Sequence, residues 1–236
     1  KYLSDKDNPN FLDELDKPYY KSVDKSVDIY KQKFDKNKHI IEMLKDKYNQ
    51  MVLNILRQLE ESDVVDVKSE VLFGEDKTLP GIELSYKDYN FIIEGKIDRV
   101  DFFELSDGDA VRVIDYKSGN KEFNIALCLG GITIQLLVYL NSLKKFKKPI
   151  GAFYLPIAVE FYFNSDDKEI NEVEMIEHYM MDGIATSDEE ALISMDHSIK
   201  DYNLSFKNRN INLKGRKKKL EGKENLISDE YMEKLI

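Results

Sequence analysis

Two long strand-like segments joined by a short turn constrain this chain more than any other feature. The first, FIIEGKIDRVDFFEL, spans residues 91–105, and the second, VRVIDYKSGN, spans residues 111–120. Between them lies SDGD at 106–109. Asp-Gly between two apolar runs is a strong hairpin signal, because both residues tolerate a positive φ. The sequence therefore predicts an antiparallel hairpin with Asp107 and Gly108 as its two turn residues.

The predicted turn determines which side chains meet across the hairpin. With these two turn residues, Val100 is expected to pair with Asp115. One pair further along, Asp98 is expected to pair with Lys117. Side chains alternate along a strand, so these four residues share one face of the sheet. We therefore expect two carboxylates and an amine within a few ångströms of one another at the polar end of that face.

This grouping of charges has a chemical consequence. Two carboxylates at ~4 Å and an effective dielectric constant near 20 repel by about 4 kcal/mol. Either one carboxylate takes up a proton, or a cation lies between them. Oxygen ligands favour Mg²⁺ or Mn²⁺, which would hold phosphate oxygens and lower the pKa of a bound water. Lys117 would then orient or deprotonate that water, or balance the developing negative charge. Such a group is typical of phosphodiester hydrolysis.

A purely structural interpretation of the same residues stays open. Asp98 and Asp115 would then form ordinary salt bridges at the edge of a sheet. Their partners would be Lys117 and Arg99. Acid-x-Lys triplets are frequent in a chain with 34% charged residues, and further examples occur at 75–77, 94–96 and 221–223.

The rest of the pattern predicts a mixed α/β fold with helices flanking the sheet. Apolar residues spaced three and four apart predict a long amphipathic helix over 38–61. FNIALCLGGITIQLLVYLNSL at 123–143 predicts one buried helix, in which Gly130 and Gly131 would mark a close backbone approach. Further strands are predicted at 65–73, 82–86 and 150–163, and a helix through Met195 is predicted with Ser187 and Glu190 as its capping box.

Three motifs in this order resemble the PD-(D/E)XK nucleases of the RecB type. The flanking segments are similar to the C-terminal nuclease domain of the AddB subunits of bacterial AddAB helicase–nucleases, over roughly residues 38–236. The resemblance implies a restriction-endonuclease-like mixed sheet with an αβββαβ core. We expect a polar lead-in over 1–36, a nuclease core over 37–160 and a C-terminal extension over 161–236. The motifs are GKIDRVD (95–101), IDYKSG (114–119) and QLLVY (135–139), and the similar flanks are SEVLFGE (69–75), AFYLPI (152–157) and MDGIATSDEEALISMD (181–196).

The resemblance also implies a role for each matching residue. Asp98 and Asp115 would be metal-binding carboxylates, with the backbone carbonyl of Tyr116 as a further ligand. Lys117 would be the catalytic lysine. Glu70 is a weaker metal-ligand candidate, since it equally fits a solvated strand face, and Glu94 ranks below it. Gln135 and Tyr139, four residues apart on one helix face, would support the site and contact DNA; without the resemblance, Tyr139 would be assigned to the core and Gln135 to a backbone cap.

The implied function is a Mg²⁺- or Mn²⁺-dependent deoxyribonuclease of a helicase–nuclease that processes double-strand breaks in recombinational repair. Its expected partners are single-stranded DNA, fed by a helicase, and an AddA-like subunit, in the cytoplasm and without a membrane. Two alternatives remain. One is a non-catalytic nuclease-like module that binds DNA or a partner subunit, and the other is a free-standing RecB-like or Cas4-like exonuclease.

Two features depart from the family pattern. RecB-type nucleases usually carry a His on an upstream helix, and His39, His178 and His197 are expected to be surface or packing residues instead. The family His would then precede residue 1. Many AddB proteins also hold an iron–sulfur cluster through four Cys residues. Cys128, the single cysteine, matches none of them, so no cluster is expected within this chain.

Overall charge and composition limit the remaining possibilities. The net charge is −10, which does not favour nucleic acid, but basic runs at 144–148 and 216–219 would either contact phosphates or form solvated faces. One cysteine excludes an internal disulfide and fits a reducing compartment. No apolar run approaches the ~20 residues of a membrane helix. The chain has 236 residues and does not begin with Met, so we expect a piece of a longer protein.

Overall fold

The chain divides into two compact units, residues 1–60 and residues 61–236. In the first unit the structure describes one helix, α1 (Lys38–Glu60), which confirms the amphipathic helix predicted there. The predicted lead-in over 1–36 lies outside the described residues. The computed structural model describes residues 38–119, 121–157, 178–201, 210–213 and 223–236.

The second unit is built on a six-stranded sheet with the strand order β1-β4-β5-β6-β7-β8. Strands β5 and β6 are parallel, as are β7 and β8, and the other neighbours are antiparallel. The mixed sheet predicted from the sequence is therefore confirmed. In chain order the elements are β1 (Asp66–Phe73), β2 (Ile82–Tyr86), β3 (Tyr89–Ile93), β4 (Gly95–Leu105), β5 (Gly108–Lys117), α2 (Ile125–Leu129), α3 (Gln135–Leu143), β6 (Lys148–Pro156), β7 (Asp182–Thr186), α4 (Glu189–Met195), a 3₁₀ helix (His197–Asp201), β8 (Leu226–Ile227) and α5 (Asp229–Leu235).

The single helix predicted over 123–143 is wrong, because the chain forms two helices there. Asn124 caps the N-terminus of α2, and Gly130 ends it. Gly131 has a φ of +76°, a left-handed conformation that L-residues with a side chain rarely adopt. A Cβ added to Gly131 would have no atom within 4 Å, so the expected close approach at this glycine is also wrong. The two glycines break the helix and let α3 begin at Gln135.

The predicted long strand over 91–105 is likewise two strands. Strand β3 pairs with β2 in a separate two-stranded sheet, and only β4 belongs to the main sheet. The main-sheet strand begins at Gly95, and a Cβ there would lie 2.7 Å from the ring of Phe73. Glycine is therefore required where the aromatic ring of β1 packs over the start of β4.

The predicted helix through Met195 is confirmed, but its cap is not the one expected. Asp188, not Ser187, is the N-cap, and its side chain accepts a hydrogen bond from Ala191 N. The carboxylate of Glu190 reaches the β4–β5 turn instead, where it accepts hydrogen bonds from Ser106. The capping-box prediction is therefore wrong, and Glu190 tethers α4 to the central hairpin.

The two faces of the sheet differ in character. On one face, Leu136 and Leu140 of α3 pack with Val113 of β5 in an apolar cluster that also includes residues of α5. On the other face, Asp101 binds two arginines, and one of them, Arg112, donates to the carbonyl of Met195 in α4. Among the helices of the described ranges, none has both the length and the apolar character needed to cross a membrane.

Candidate active site

The β4–β5 turn lies one residue earlier than predicted. Leu105 pairs with Gly108, so the two turn residues are Ser106 and Asp107 rather than Asp107 and Gly108. Gly108 opens strand β5 with a φ of +132°. Glu190 stabilises this turn by accepting a hydrogen bond from Ser106 N at 2.8 Å.

The changed turn shifts the pairing of the whole hairpin by two residues. Val100 pairs with Val113, not with Asp115 as predicted. Continued along the strands, this register sets Asp98 opposite Asp115 rather than opposite Lys117. A two-residue shift keeps every side chain on its face, because side chains alternate with a period of two. The predicted pairs are therefore wrong, but the predicted grouping of Asp98, Asp115 and Lys117 on one face holds.

Gln135, the first residue of α3, connects the charged residues of this face. Its Nε2 donates to Asp115 Oδ1 at 2.9 Å and to the Tyr139 hydroxyl at 2.8 Å. Its Oε1 accepts from Lys117 Nζ at 3.0 Å. The opposite amide orientation would turn Oε1 toward a carboxylate and the amide N–H groups toward an ammonium, so the partners fix the orientation. One neutral side chain thus holds both charges of the Asp-x-Lys motif.

Asp98 is held by the backbone of the neighbouring strand. Its Oδ2 accepts a hydrogen bond from Tyr116 N at 3.0 Å. The side chain of Tyr116 interacts with Arg99 on the opposite face of the sheet. Only the backbone of Tyr116 therefore adjoins the carboxylates, which is where its predicted role as a carbonyl ligand requires it.

Asp115 is the most buried carboxylate of the group, with 2% of its surface exposed. Burial raises its pKa above the ordinary value of 3.8, and the charge of Asp98 acts in the same direction. The ammonium groups of Lys117 and Lys121 oppose this shift. Lys117 forms an ion pair with Asp115 Oδ2. That oxygen is buried, so the ammonium of Lys117 is the charge that balances it among the residues that the structure describes.

These residues fit a hard divalent cation such as Mg²⁺ or Mn²⁺. The carboxylates of Asp98 and Asp115 and the carbonyl of Tyr116 are oxygen donors, which these ions prefer. The buried Oδ2 of Asp115 is an oxygen whose charge the ammonium of Lys117 balances, so its surroundings suit a cation. Mg²⁺ usually keeps several waters and needs only one or two protein carboxylates. Within the described ranges, no cluster of three or more His, Cys, Asp or Glu side chains is arranged to hold a metal ion.

The weaker candidates Glu70 and Glu94 do not join this group. Glu70 has a φ of +57° and forms an exposed ion pair with Lys96. Its bond to Lys96 raises the pKa of that amine, and Asp98 adds to the shift. Glu94 accepts a hydrogen bond from Glu75 N at 2.7 Å and so fixes the loop after β1. Glu70 therefore pairs with Lys96, whose charge interacts with that of Asp98, and Glu94 has a structural partner.

Sequence reasoning missed three residues around the site. Lys96 pairs with Glu70, and its charge interacts with that of Asp98. Tyr154 of β6 pairs in the sheet with Asp115, and its ring lies beneath the ammonium groups of Lys117 and Lys121. Lys96 lies within GKIDRVD and Tyr154 within AFYLPI, but neither segment assigns these residues a role, and no motif includes Lys121. The apolar run at 150–163 predicts a strand, but it carries no signal of which strand lies beside it.

The histidines and the cysteine occupy other positions. His39 lies in α1. His197 bonds to Asp63 at 2.8 Å, and His178 packs edge-on against Tyr179 while lining a cleft beside Lys117. Cys128 is buried in α2, and its Sγ donates to the Thr133 carbonyl.

Part of the first basic run is neutralised. Lys147 forms an ion pair with Asp109, and Lys148 pairs with both Asp107 and Asp229. These contacts tie the start of β6 to the hairpin turn and to α5. The second basic run, at 216–219, lies outside the described residues. The prediction that either run contacts phosphates remains a prediction.

Comparison with known proteins gives a consistent result. The sequence profile of the PD-(D/E)XK nuclease superfamily matches residues 4–208. The chain is 32% identical over 179 residues to an ATP-dependent helicase/deoxyribonuclease subunit of Clostridium novyi (strain NT), an alignment that covers 71% of this chain and 16% of that protein. The corresponding proteins of Thermoanaerobacter sp. (strain X514) and Clostridioides difficile (strain 630), which carry the same name, are 34% and 30% identical over 61% and 71% of this chain. The alignments cover 14–16% of the three relatives' own length.

Proposed function

Because the chain belongs to the PD-(D/E)XK nuclease superfamily, we propose that it is a metal-dependent deoxyribonuclease domain of a helicase–nuclease subunit. Its reaction is hydrolysis of DNA phosphodiester bonds. The names of the relatives, which join a helicase with a deoxyribonuclease, support this proposal.

One observation carries the proposal. Asp115 and Lys117 of β5 share a face with Asp98 of β4, and Gln135 bonds to both residues of β5. An ordinary surface salt bridge needs no buried carboxylate and no amide held between its two charges. The arrangement instead keeps an amine and two carboxylates at fixed positions around a point at the sheet edge.

Each residue has a role in this proposal. Asp98, Asp115 and the Tyr116 carbonyl would hold the divalent ion, which when bound would supply Lewis-acid stabilisation of phosphate charge and a more acidic water. Lys117 orients the attacking water and balances the negative charge that develops on the phosphate oxygens. The water gives up a proton to solvent as its oxygen bonds to phosphorus, the phosphorus–oxygen bond to the leaving deoxyribose breaks, and the leaving oxygen takes up a proton from solvent. Gln135 holds the side chains of Lys117 and Asp115 in position through its hydrogen bonds to both.

We infer a biological setting that agrees with the relatives' names, which join a helicase to a deoxyribonuclease. A helicase partner, of the AddA type, feeds single-stranded DNA into the site during double-strand break processing and recombinational repair in the cytoplasm. A nuclease fed by a motor needs no sequence readout. Contacts to phosphate and sugar suffice for this, because they position a strand without reading its bases.

The test compares the whole chain with two isosteric variants. Wild type, Asp115→Asn and Asp88→Asn are incubated with labelled single-stranded DNA and Mg²⁺ or Mn²⁺. Asp88 is an exposed carboxylate in the β2–β3 turn, so it controls for lost charge. We expect cleavage by wild type and Asp88→Asn, its loss by about 100-fold or more in Asp115→Asn, and its loss in every sample with EDTA. Equal cleavage by all three proteins, or none by wild type, would contradict the proposal.

A further inference from the structure

A second ammonium group shares the aromatic ring beneath the site. Lys117 Nζ lies 5.3 Å from the centroid of the Tyr154 ring, and Lys121 Nζ lies 4.6 Å from it. The two nitrogens are therefore no further apart than the sum of these distances, about 9.9 Å. Tyr154 is 1% exposed and paired within the sheet, so its ring is a fixed support. Two like charges are thus held near one another at the edge of the site.

The two lysines differ in how their charge is balanced. Lys117 has an ion pair with Asp115 and a hydrogen bond to Gln135. Lys121 forms no salt bridge with the carboxylates that the structure describes, although its charge acts to lower the pKa of Asp115. It is exposed, and its described contact is the face of the ring. A cation–π contact fixes the position of an ammonium but occupies none of its three N–H donors with an acceptor. Lys121 therefore presents a positioned cation with donors available to an anion.

A cleft leads from this amine to the site. Its volume is about 140 Å³, against about 30 Å³ for one molecule of liquid water. Lys117, Lys121, Tyr154 and His178 line it, together with the carboxylates of Glu122 and Asp182. Asp182 Oδ2 accepts a hydrogen bond from Phe123 N, which directs that oxygen to the backbone. The cleft therefore has room for a hydrated phosphate beside the two amines.

We propose that Lys121 binds a non-scissile backbone phosphate of the DNA strand, next to the phosphate that is cleaved, with Tyr154 as the positioning residue beneath its ammonium. The proposal rests on the proposed function and deepens it by assigning a substrate-binding residue outside the Asp-x-Lys motif. The strand then enters along the cleft, with one phosphate at Lys121 and the next at the site of Lys117.

The first experiment separates substrate binding from chemistry. Lys121→Gln is expected to raise KM about tenfold with little change in kcat, as for the loss of one charged contact. The slope of log affinity against log salt should fall by about 0.7, the value for one phosphate on a single strand. Lys121→Arg should restore both. The control is Lys87→Gln, an exposed lysine in the β2–β3 turn that also lies over an aromatic ring, that of Tyr86.

The second experiment locates the contact. Single-stranded substrates carry one neutral methylphosphonate each, placed in turn at the phosphates flanking the cleavage position. In wild type, one non-scissile position is expected to raise KM about tenfold. That position should have no further effect in Lys121→Gln but keep its full effect in Lys87→Gln. If Lys121→Gln and the methylphosphonate raise KM independently at every position, so that their separate factors multiply in the combined experiment, Lys121 does not contact any of these phosphates. That result would overturn the inference and leave the nuclease proposal intact. Absence of cleavage by wild type would overturn both.

The role of Tyr154 is tested separately with two replacements. Tyr154→Phe keeps the ring and should leave KM unchanged, whereas Tyr154→Leu removes the ring and should raise KM with the same position dependence as Lys121→Gln. Thermal unfolding of both variants identifies any loss of fold. A Tyr154→Phe variant with the KM of Lys121→Gln would contradict the role of the ring.

Discussion

Gln135 Nε2 donates a hydrogen bond to Asp115 Oδ1 at 2.9 Å, so an amide in the first turn of helix α3 fixes one oxygen of a strand carboxylate. The other oxygen of Asp115 faces Lys117. Helix α3 begins at this residue because Gly130 and Gly131 end the preceding helix. The break in the helical segment and the geometry of the carboxylate are therefore parts of one arrangement.

Replacing Gln135 with Glu tests that arrangement. The new carboxylate would lie beside Asp115 and repel it, and the donor to Tyr139 would be lost. We expect the single-turnover cleavage rate to fall about 10- to 100-fold, as for other residues that orient metal ligands. Asn90→Asp, which adds the same charge in the β2–β3 hairpin, should cleave like wild type. A Gln135→Glu variant with the wild-type rate would contradict the role of the amide.

Lys117→Met separates catalysis from metal binding. Loss of the ammonium should lower the cleavage rate about 100-fold or more, because the charge that develops on the phosphate is no longer balanced. Binding of Mn²⁺ should persist, since the variant retains both carboxylates and loses a competing cation. The matched control is Lys68→Met, because Lys68 also lies over an aromatic ring of the sheet, that of Phe102. Loss of Mn²⁺ binding in Lys117→Met would show that the lysine builds the site rather than acts in it.

The buried ion cluster on the opposite face of the sheet should govern stability, not chemistry. Asp101 is fully buried and bonds to Arg99 at 2.6 and 2.7 Å and to Arg112 at 2.8 Å. Asp101→Asn should lower the free energy of unfolding by about 3–5 kcal/mol, because two guanidinium groups lose their buried counter-charge. Urea unfolding measures this loss. The control Glu104→Gln, at an exposed position of the same strand, should change it by less than about 0.5 kcal/mol.

The same cluster predicts a pH dependence. Burial opposes ionisation of Asp101, but Arg99 and Arg112 outweigh burial and hold its pKa below 3.8. A carboxyl group with a lowered pKa in the folded state contributes stability above its unfolded pKa, and this contribution is lost as the pH falls through the folded value. Wild type should therefore lose stability below about pH 4 more steeply than Asp101→Asn. Parallel pH profiles for the two proteins would contradict this.

The sequence predicted the grouping of Asp98, Asp115 and Lys117 because only the alternation of side chains decides which face they share. The turn itself was misplaced, since Asp-Gly is a strong local signal but Glu190 of a distant helix binds Ser106 instead. The resulting shift of two residues changed every cross-strand pair of β4 and β5, but it left each side chain on the face of the sheet that was predicted for it. The sequence could therefore predict that the three charged residues share a face, but it could not predict which residues of β4 and β5 lie opposite each other.

Other errors have the same physical origin in contacts between distant segments. The division of the 91–105 segment at Gly95 depends on the ring of Phe73, which is contributed by another strand. Lys121 and Tyr154 lie 33 positions apart and meet only because β6 pairs with β5 in parallel. Local patterns identify helices and alternating strands, but they carry no information on which strand lies beside which.

Calorimetric titration with Mn²⁺ tests the central claim most directly, because it needs no DNA and no partner subunit. Wild type and Asp88→Asn should each bind the ion, and Asp98→Asn and Asp115→Asn should have lost this binding site. Circular dichroism should show that all four proteins are folded. Identical titrations of all four proteins, or no uptake by wild type, would contradict the assignment of Asp98 and Asp115 as the carboxylates that hold the metal.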